Sequence, residues 1–289
     1  QAFSRLGSKV TQVDMAARIM PREDEDVSAA VSARFAAQGI EVLTGHRLLK
    51  FETVDGEHFM EAEHQGETVR VAFDRVLLAI GRKANTEGFG LEEIGVALTP
   101  QGTVEVNEYL QTNLPNVFAC GDVAGPYQFT HMASYQAWFA ALNAIAGGFW
   151  RSRVNYSVVP WATFTDPEVA RVGLSEDEAK QRGIAYEVTR YDMDHHDRSL
   201  ADGEAHGFVK ILTVPGKDKM LGVTIVGYHA GEQIAEFVFA MTHNMGLKSI
   251  SAVTHIYPTL GEANKFAANA WRSARLPTQY FPWLKRFFD

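Results

Sequence analysis

Cysteine is nearly absent from this 289-residue chain, Cys120 being the only one. A lone thiol excludes an intrachain disulfide, a zinc site built on cysteines and a Cys-x-x-Cys redox centre. Basic charge is short as well: 27 Lys and Arg stand against 35 Asp and Glu, a formal net charge of −8. Without a basic stripe to neutralise phosphates, a nucleic-acid binder is disfavoured. No apolar run reaches the roughly 18 residues of a membrane-spanning helix, and no secretory signal pattern opens the chain. These absences suggest a cytoplasmic protein of a reducing compartment. What is present is core: 46% of residues are hydrophobic, enough at this length to fill about two domains and to exclude global disorder.

The chain begins without Met. Residues 1–7 read as the end of a helix closed by Gly7, and Lys9 to Val13 as a strand ending in Asp14. Helix, Gly, strand and acid make up the second half of a βαβ dinucleotide unit, whose acid holds ribose hydroxyls. Taken alone, Asp14 reads first as a solvated loop acid. The glycine-rich turn of such a unit is not in the sequence, which suggests a chain that starts inside a domain. Residues 21–26 put acids in the first turn of a helix, where the macrodipole favours them, and Gly39 stops it. A β-meander follows over residues 47–53, 58–64 and 68–73, divided by Asp55-Gly56 and Gln65-Gly66. Residues 75–80 (RVLLAI) form a nearly continuous apolar run, the pattern of a strand in a buried parallel sheet.

A second such strand, residues 117–120, ends in Gly121-Asp122. Carboxyl ends of strands are where α/β proteins bind ligands, Gly admits a close approach, and a carboxylate accepts hydrogen bonds from sugar hydroxyls. As a bare dipeptide, Gly-Asp is also a common turn. Thr130-His131 opens a helix reaching about Ala146. Beyond it, strands near 160–164, 169–173, 186–193, 208–214 and 220–226, a helix capped by Ser175 and another begun at His229 describe an α+β unit. Asp192, Asp194, His195, His196 and Asp197 form a cluster of metal-ligand residue types, but no spacing gathers their side chains; we assign no metal.

Asp14, the segment 79–82 (AIGR), 117–122 (VFACGD), 164–168 (FTDPE) with 172–176 (VGLSE), and 257–262 (YPTLGE) recur in this order in one family. On these motifs the chain resembles the C-terminal part of a class I pyridine nucleotide-disulfide oxidoreductase, of the dihydrolipoamide dehydrogenase and mercuric-reductase-like kind. The resemblance implies an α/β fold: a partial Rossmann-type NAD-binding domain over residues 1–82, a returning FAD-domain segment over 83–155, and an α+β dimerisation domain over 156–289. It implies a flavoprotein that passes electrons between NAD(H), FAD and a dithiol/disulfide or other acceptor, working as a homodimer through its C-terminal domain.

By the same resemblance, Asp14 grips the adenosine ribose of NAD. Its charge would repel the extra phosphate of NADP, although Arg18 and Arg22 nearby could soften that discrimination or stand as solvated charges. Gly81 marks the close passage of NAD, Gly121 and Asp122 contact the FAD ribityl chain, and Gln128, Phe129, Thr130 and His131 lie beside the flavin. His131 reads equally as a capping or packing residue. Where the family carries His-x-His-Pro-Thr-x-x-Glu, this chain has His255-Ile256-Tyr257-Pro258-Thr259-Leu260-Gly261-Glu262. Tyr257 thus stands at the acid–base histidine, with Glu262 as its orienting acid. A phenol with an ordinary pKa near 10 cannot exchange protons at pH 7 as imidazole does. Tyr257 is otherwise an interface packing residue, and His255 is not expected to replace it.

The family's FAD-binding GxGxxG and redox-active cysteine pair are not found here. Alone, the chain is therefore expected to be inactive, the alternative to an enzyme part being a non-catalytic dimerising fragment with residual nucleotide binding. The C-terminal pair of cysteines common in mercuric reductases is also lacking. The tail, with Trp271, Tyr280, Phe281, Trp283, Leu284, Phe287 and Phe288 among Arg272, Arg275, Lys285 and Arg286, suits packing on a partner subunit or on the protein's own body better than a membrane surface.

Overall fold

The computed structural model describes residues 1–276. Residues 280–288 of the aromatic-basic tail lie outside the described residues. The chain divides into two units, residues 1–75 with the chain from Ser157 onward, and residues 76–156.

The first unit opens with a short helix, α1 (Ala2–Arg5), ended by Gly7 at a positive φ. Then β1 (Thr11–Val13), α2 (Glu25–Ala37) and β2 (Glu41–Leu43) form a parallel βαβ turn in which Thr11 to Val13 pair with Glu41 to Leu43. Val27, Val31 and Phe35 recur at helical spacing on the buried side of α2. The meander is as the alternation predicts: β3 (Arg47–Val54), β4 (Glu57–His64) and β5 (Glu67–Phe73) pair antiparallel in chain order. Both of its two-residue turns, Asp55-Gly56 and Gln65-Gly66, have positive φ throughout, as a right-twisting hairpin requires.

In the second unit, one helix, α3 (Thr130–Ala146), dominates. Met132, Gln136, Ala140 and Asn143 line its buried side. Two expectations fail here. Residues 76–80 form no strand, and Leu77 and Ile80 are 77% and 83% exposed. Residues 117–120 form only an isolated bridge, between Phe118 and Gln111. A continuous apolar run becomes a buried strand only when neighbouring strands complete its ladder and cover both faces. Among the described residues none pairs with 76–80.

The chain returns to the first unit as β6 (Pro160–Thr163), β7 (Glu168–Gly173), α4 (Glu176–Gln181), β8 (Glu187–Asp192), α5 (Asp197–Ala201), β9 (Phe208–Thr213) and β10 (Met220–Gly227), then four helices, α6 (Ala230–Gln233), α7 (Ala235–Thr242), α8 (Leu247–Ala252) and α9 (Glu262–Ser273). Its five strands make one antiparallel sheet in the order β6-β7-β10-β9-β8. Side chains alternate across it. Ala170, Val172, Val209, Ile211, Val223 and Ile225 pack with Phe237, Leu247, Ala267 and Trp271 into the larger core. Val169, Phe208 and Val226 join Val27, Val31 and Phe35 of α2 in the smaller one.

A polar row crosses the sheet. Trp161 lies opposite Arg171, Arg171 opposite Thr224, Thr224 opposite Lys210, and Lys210 opposite Arg190, so all five share one face. Arg171 and Lys210 are each about 1% exposed, where an unpaired charge is prohibitive. The acids of residues 23–26 answer them. Arg171 pairs with Glu23 at 2.9 Å and with Glu178 at 2.9 Å, and its guanidinium sits 4.3 Å from the Trp161 ring centre. Lys210 holds Asp24 at 2.8 Å, Asp26 at 2.7 Å and Glu176 at 3.1 Å. Arg190 takes Asp26 at 2.9 Å. Of the four acids at residues 23–26, which the macrodipole argument assigns to the helix entry, Glu23, Asp24 and Asp26 also reach the sheet.

Asp24 also accepts hydrogen bonds from the backbone N–H groups of Glu176 and Asp177, at the start of α4. Ser175 and Glu178 complete that start with a reciprocal capping box. Burial alone would push the Asp24 carboxyl up; Lys210 and these two N–H groups outweigh it and hold it below the usual carboxylate range. Burial likewise opposes the charge on Lys210, yet Asp24 and Asp26 hold its ammonium above the usual lysine range.

Removing the cation while leaving its acids buried should be severe: Lys210→Met is expected to destabilise this unit by about 3–5 kcal/mol in urea unfolding. The pH profile has a defined shape. The contribution of Asp24 is present above the ordinary carboxylate pKa near 3.9 and fades as pH falls through its lower folded value; that of Lys210 is complete below about pH 10.4 and fades above it. A wild-type acid limb identical to that of Asp24→Asn would remove Asp24 from this account.

Candidate nucleotide and acceptor sites

The expected site residues fall in both units, and each group has its own local geometry. Asp14 follows β1 at the carboxyl end of the parallel pair and is half-buried. Its backbone is fixed on both sides, N–H to Leu43 O at 2.9 Å and O to His46 N at 3.0 Å. Its Oδ1 accepts from Ala16 N at 2.8 Å, a turn that holds the carboxylate at the strand's end. Arg18 does not stand free beside it. Its Nη2 donates to Glu23 O at 2.8 Å and to Asp177 Oδ2 at 3.0 Å.

In the second unit, Gly81 is exposed with φ +118, and the next residue, Arg82, reaches Asp122 at 3.6 Å. Gly121 is buried with φ +77, and a Cβ there would stand 3.1 Å from the Ala133 Cβ. Conformation and space both ask for glycine. The Asp122 carboxylate beside it remains about half exposed. Gln136, fully buried on α3, binds this turn at two points: its Oε1 accepts from Gly121 N at 2.6 Å and its Nε2 donates to Gly125 O at 2.8 Å. The same Nε2 lies 2.8 Å from the Tyr156 hydroxyl. Gln128 is exposed, Thr130 and His131 open α3, and the rings of Phe129 and His131 stack at 5.2 Å. Sequence reasoning missed Gln136; the one signal was the pair of amides, Gln136 and Asn143, that α3 turns to its buried side.

Tyr257 and Glu262 lie before and at the start of α9. Tyr257 is 67% exposed, and the nearby Asp197 carboxylate holds the phenol above its ordinary pKa. The phenol is thereby removed further from neutral-pH acid–base exchange. Glu262 turns to its own helix entry, Oε2 accepting from Thr259 N at 3.2 Å. His255 is held by both oxygens of Glu236, at 3.0 and 3.1 Å, and Asn264 Nδ2 donates to the same carboxylate. The partnerships of Asp197 and Glu236 had no signal in residue spacing, since each acid is distant in sequence from its partner.

The acidic and histidine cluster around Asp194 disperses. Asp192 pairs with Arg190, Asp194 with exposed His195, and Asp197 with Tyr257. His196 is buried against Ser199 Oγ at 2.9 Å, and burial pushes its imidazole below the ordinary histidine range.

Residues 1–137 match the pyridine nucleotide-disulphide oxidoreductase family, and residues 159–268 match the dimerisation domain of the same family. The chain belongs to the pyridine nucleotide-disulphide oxidoreductases. It is 35% identical over 272 residues to a dihydrolipoyl dehydrogenase of Thermus scotoductus, covering 93% of this chain and 58% of that one. It is 34% identical over 267 residues to a dihydrolipoyl dehydrogenase of Geobacillus stearothermophilus, covering 92% and 56%. The chain thus spans little more than half the length of these relatives. Among solved structures, the HOCl-induced flavoprotein disulfide reductase RclA of Escherichia coli, in its Cu(II) complex, superposes with a TM-score of 0.84 at 24% identity over 92% of this chain and 59% of that one. LpdA of Mycobacterium tuberculosis superposes with 0.83 at 25% identity, over 93% and 57%. Among the described residues no helix is long and apolar enough to cross a membrane.

Gly121→Ala tests the turn directly. Forcing a Cβ into the left-handed region, against Ala133, should lower the stability of residues 76–156 by about 1–3 kcal/mol, read by thermal unfolding. An unchanged midpoint would remove the steric argument.

Proposed function

We propose that this chain works within a longer FAD-dependent oxidoreductase that passes electrons between NAD(H) and a dithiol/disulfide or another small acceptor, as its dihydrolipoyl dehydrogenase relatives suggest. The observation that carries the reading is the Gly121 turn, pinned by Gln136 and packed on Ala133, which leaves the Asp122 carboxylate accessible beside the entry to α3. Its residues fit a flavin: a glycine that admits close approach, an open carboxylate for ribityl hydroxyls, and the Phe129–His131 stack at a helix N-terminus. When bound, FAD would accept hydride from NADH and release electrons toward the acceptor.

In this reading Asp122 orients the ribityl chain, Gln128 to His131 flank the ring, and Gly81 admits the nicotinamide nucleotide. Asp14 holds the adenosine ribose, and the commitment of Arg18 to Asp177 leaves that arginine off a 2′-phosphate, which favours NAD over NADP. In the same reading residues 1–82 serve NAD, 83–155 form the returning FAD segment and 156–289 the dimerisation domain, the last pairing two copies of the chain in the cytoplasm. Tyr257, with Glu262 near it, faces the acceptor. A phenol held above its ordinary pKa exchanges no proton near pH 7, so the acceptor favoured is one whose reduction draws no proton from residue 257.

In the longer protein, NADH should bleach the visible flavin absorption, and Asp14→Ala should weaken NADH far more than NADPH. Tyr257→His should raise dihydrolipoamide turnover, by about 100-fold if the imidazole acts as a general acid–base. A protein that binds no FAD, or whose flavin NADH leaves oxidised, would falsify the proposal.

A further inference from the structure

Asp166, in the turn between β6 and β7, meets Glu204 and His206 from the loop between α5 and β9. His206 Nε2 lies 3.4 Å from Glu204 Oε2 and 3.8 Å from Asp166 Oδ1. One ligating atom from each of the three residues falls within 4.8 Å of the others. Glu204 Oε2 and His206 Nε2 are both shut off from solvent and have no hydrogen-bond partner, although their residues are only partly buried. Two such atoms facing each other need a proton or a cation between them.

The spacing favours a metal. Ligand atoms about 2.0–2.1 Å from a tetrahedral ion stand about 3.3–3.4 Å from one another. The His206–Glu204 separation matches that edge, and the His206–Asp166 separation exceeds it by a few tenths of an ångström. Asp166 is already held in place on its other oxygen. Oδ2 accepts from Arg34 at 2.9 Å, from Gln38 at 3.2 Å and from Arg5, while Gln1 brackets its backbone through Asp166 N and O. That leaves Oδ1 directed toward the histidine. One imidazole and two carboxylates suit a borderline divalent ion of the Zn²⁺ kind better than Mg²⁺ or Ca²⁺, which take oxygen alone.

We infer that Asp166, Glu204 and His206 form a divalent transition-metal site, with water completing the coordination. Arg5 and Arg34 offset the charge of Asp166, so the attraction comes mainly from Glu204 and the site is exchangeable, weaker than an all-cysteine structural zinc site. The ion joins the β6–β7 turn to the loop leading into β9. Through Asp166 it also adds to the anchorage of α1 and α2 on that turn. This site needs neither flavin nor nicotinamide and does not depend on the proposed electron transfer.

The test is calorimetry with Zn²⁺ on the chain stripped by chelator, with Mg²⁺ as the contrast. The expected result is one Zn²⁺ per chain, no response to Mg²⁺, and a loss of affinity of at least about tenfold in His206→Ala and in the near-isosteric Glu204→Gln. His195→Ala, which alters an exposed histidine beside Asp194, should bind as wild type does. Thermal unfolding without metal checks that each variant is folded. Zn²⁺ binding equal in wild type and Glu204→Gln, or loss in His195→Ala alone, overturns the site and leaves His206 and Glu204 as a simple imidazolium–carboxylate pair.

Discussion

Two cations fully enclosed in the face of a sheet set the terms on which the first unit holds together. Arg171 and Lys210 stand in one row with Trp161, Thr224 and Arg190, and neither can remain charged without carboxylates brought to it. Those carboxylates come from two places, the entry of α2 (Glu23, Asp24, Asp26) and α4 (Glu176, Glu178). The row therefore does what an apolar seam would do less selectively. It ties the parallel βαβ turn to the antiparallel sheet in one registry, because a shift of either piece strands a buried charge. The smaller core, where Val27, Val31 and Phe35 meet Val169, Phe208 and Val226, fills the space beside it.

Much of this architecture is legible in local pattern. The meander follows from alternation and two X-Gly turns, α3 from its helical run, and the α4 entry from a serine followed by acids. Each is decided by neighbours within a few residues. The runs at 76–80 and 117–120 read as strands for the same local reason and are not, since a strand also needs partners that local pattern cannot supply. The buried row was illegible for a related cause. Nothing in KIL or EVARVG marks Lys210 or Arg171 as interior until the sheet register places them opposite one another.

The candidate sites divide in the same way. Asp14 and Gly121-Asp122 lie at ends of short motifs and could be picked out by position alone. What gives them shape comes from farther along the chain: Leu43 and His46 for Asp14, Gln136 for Gly121. Tyr257 is the sharper case. Its identity as a departure from the family pattern was visible, and so was Glu262; its partner Asp197 was not. The resulting arrangement sets an acid beside the phenol, while His255 is engaged by Glu236. Two proton-carrying side chains thus sit near each other in sequence, each committed to a different carboxylate.

The loop from Asp14 to Glu23 carries two obligations that are usually kept apart. Its first residue presents a carboxylate at the end of β1, while Arg18 grips α4 through Asp177 and Glu23 anchors Arg171. If Asp14 holds a nucleotide as proposed, substitutions selected in that loop for a different one would act on the fastening of the sheet at the same time. Adaptation of one trait is thereby bound to the integrity of the other, and the accessible routes are those in which both change in step.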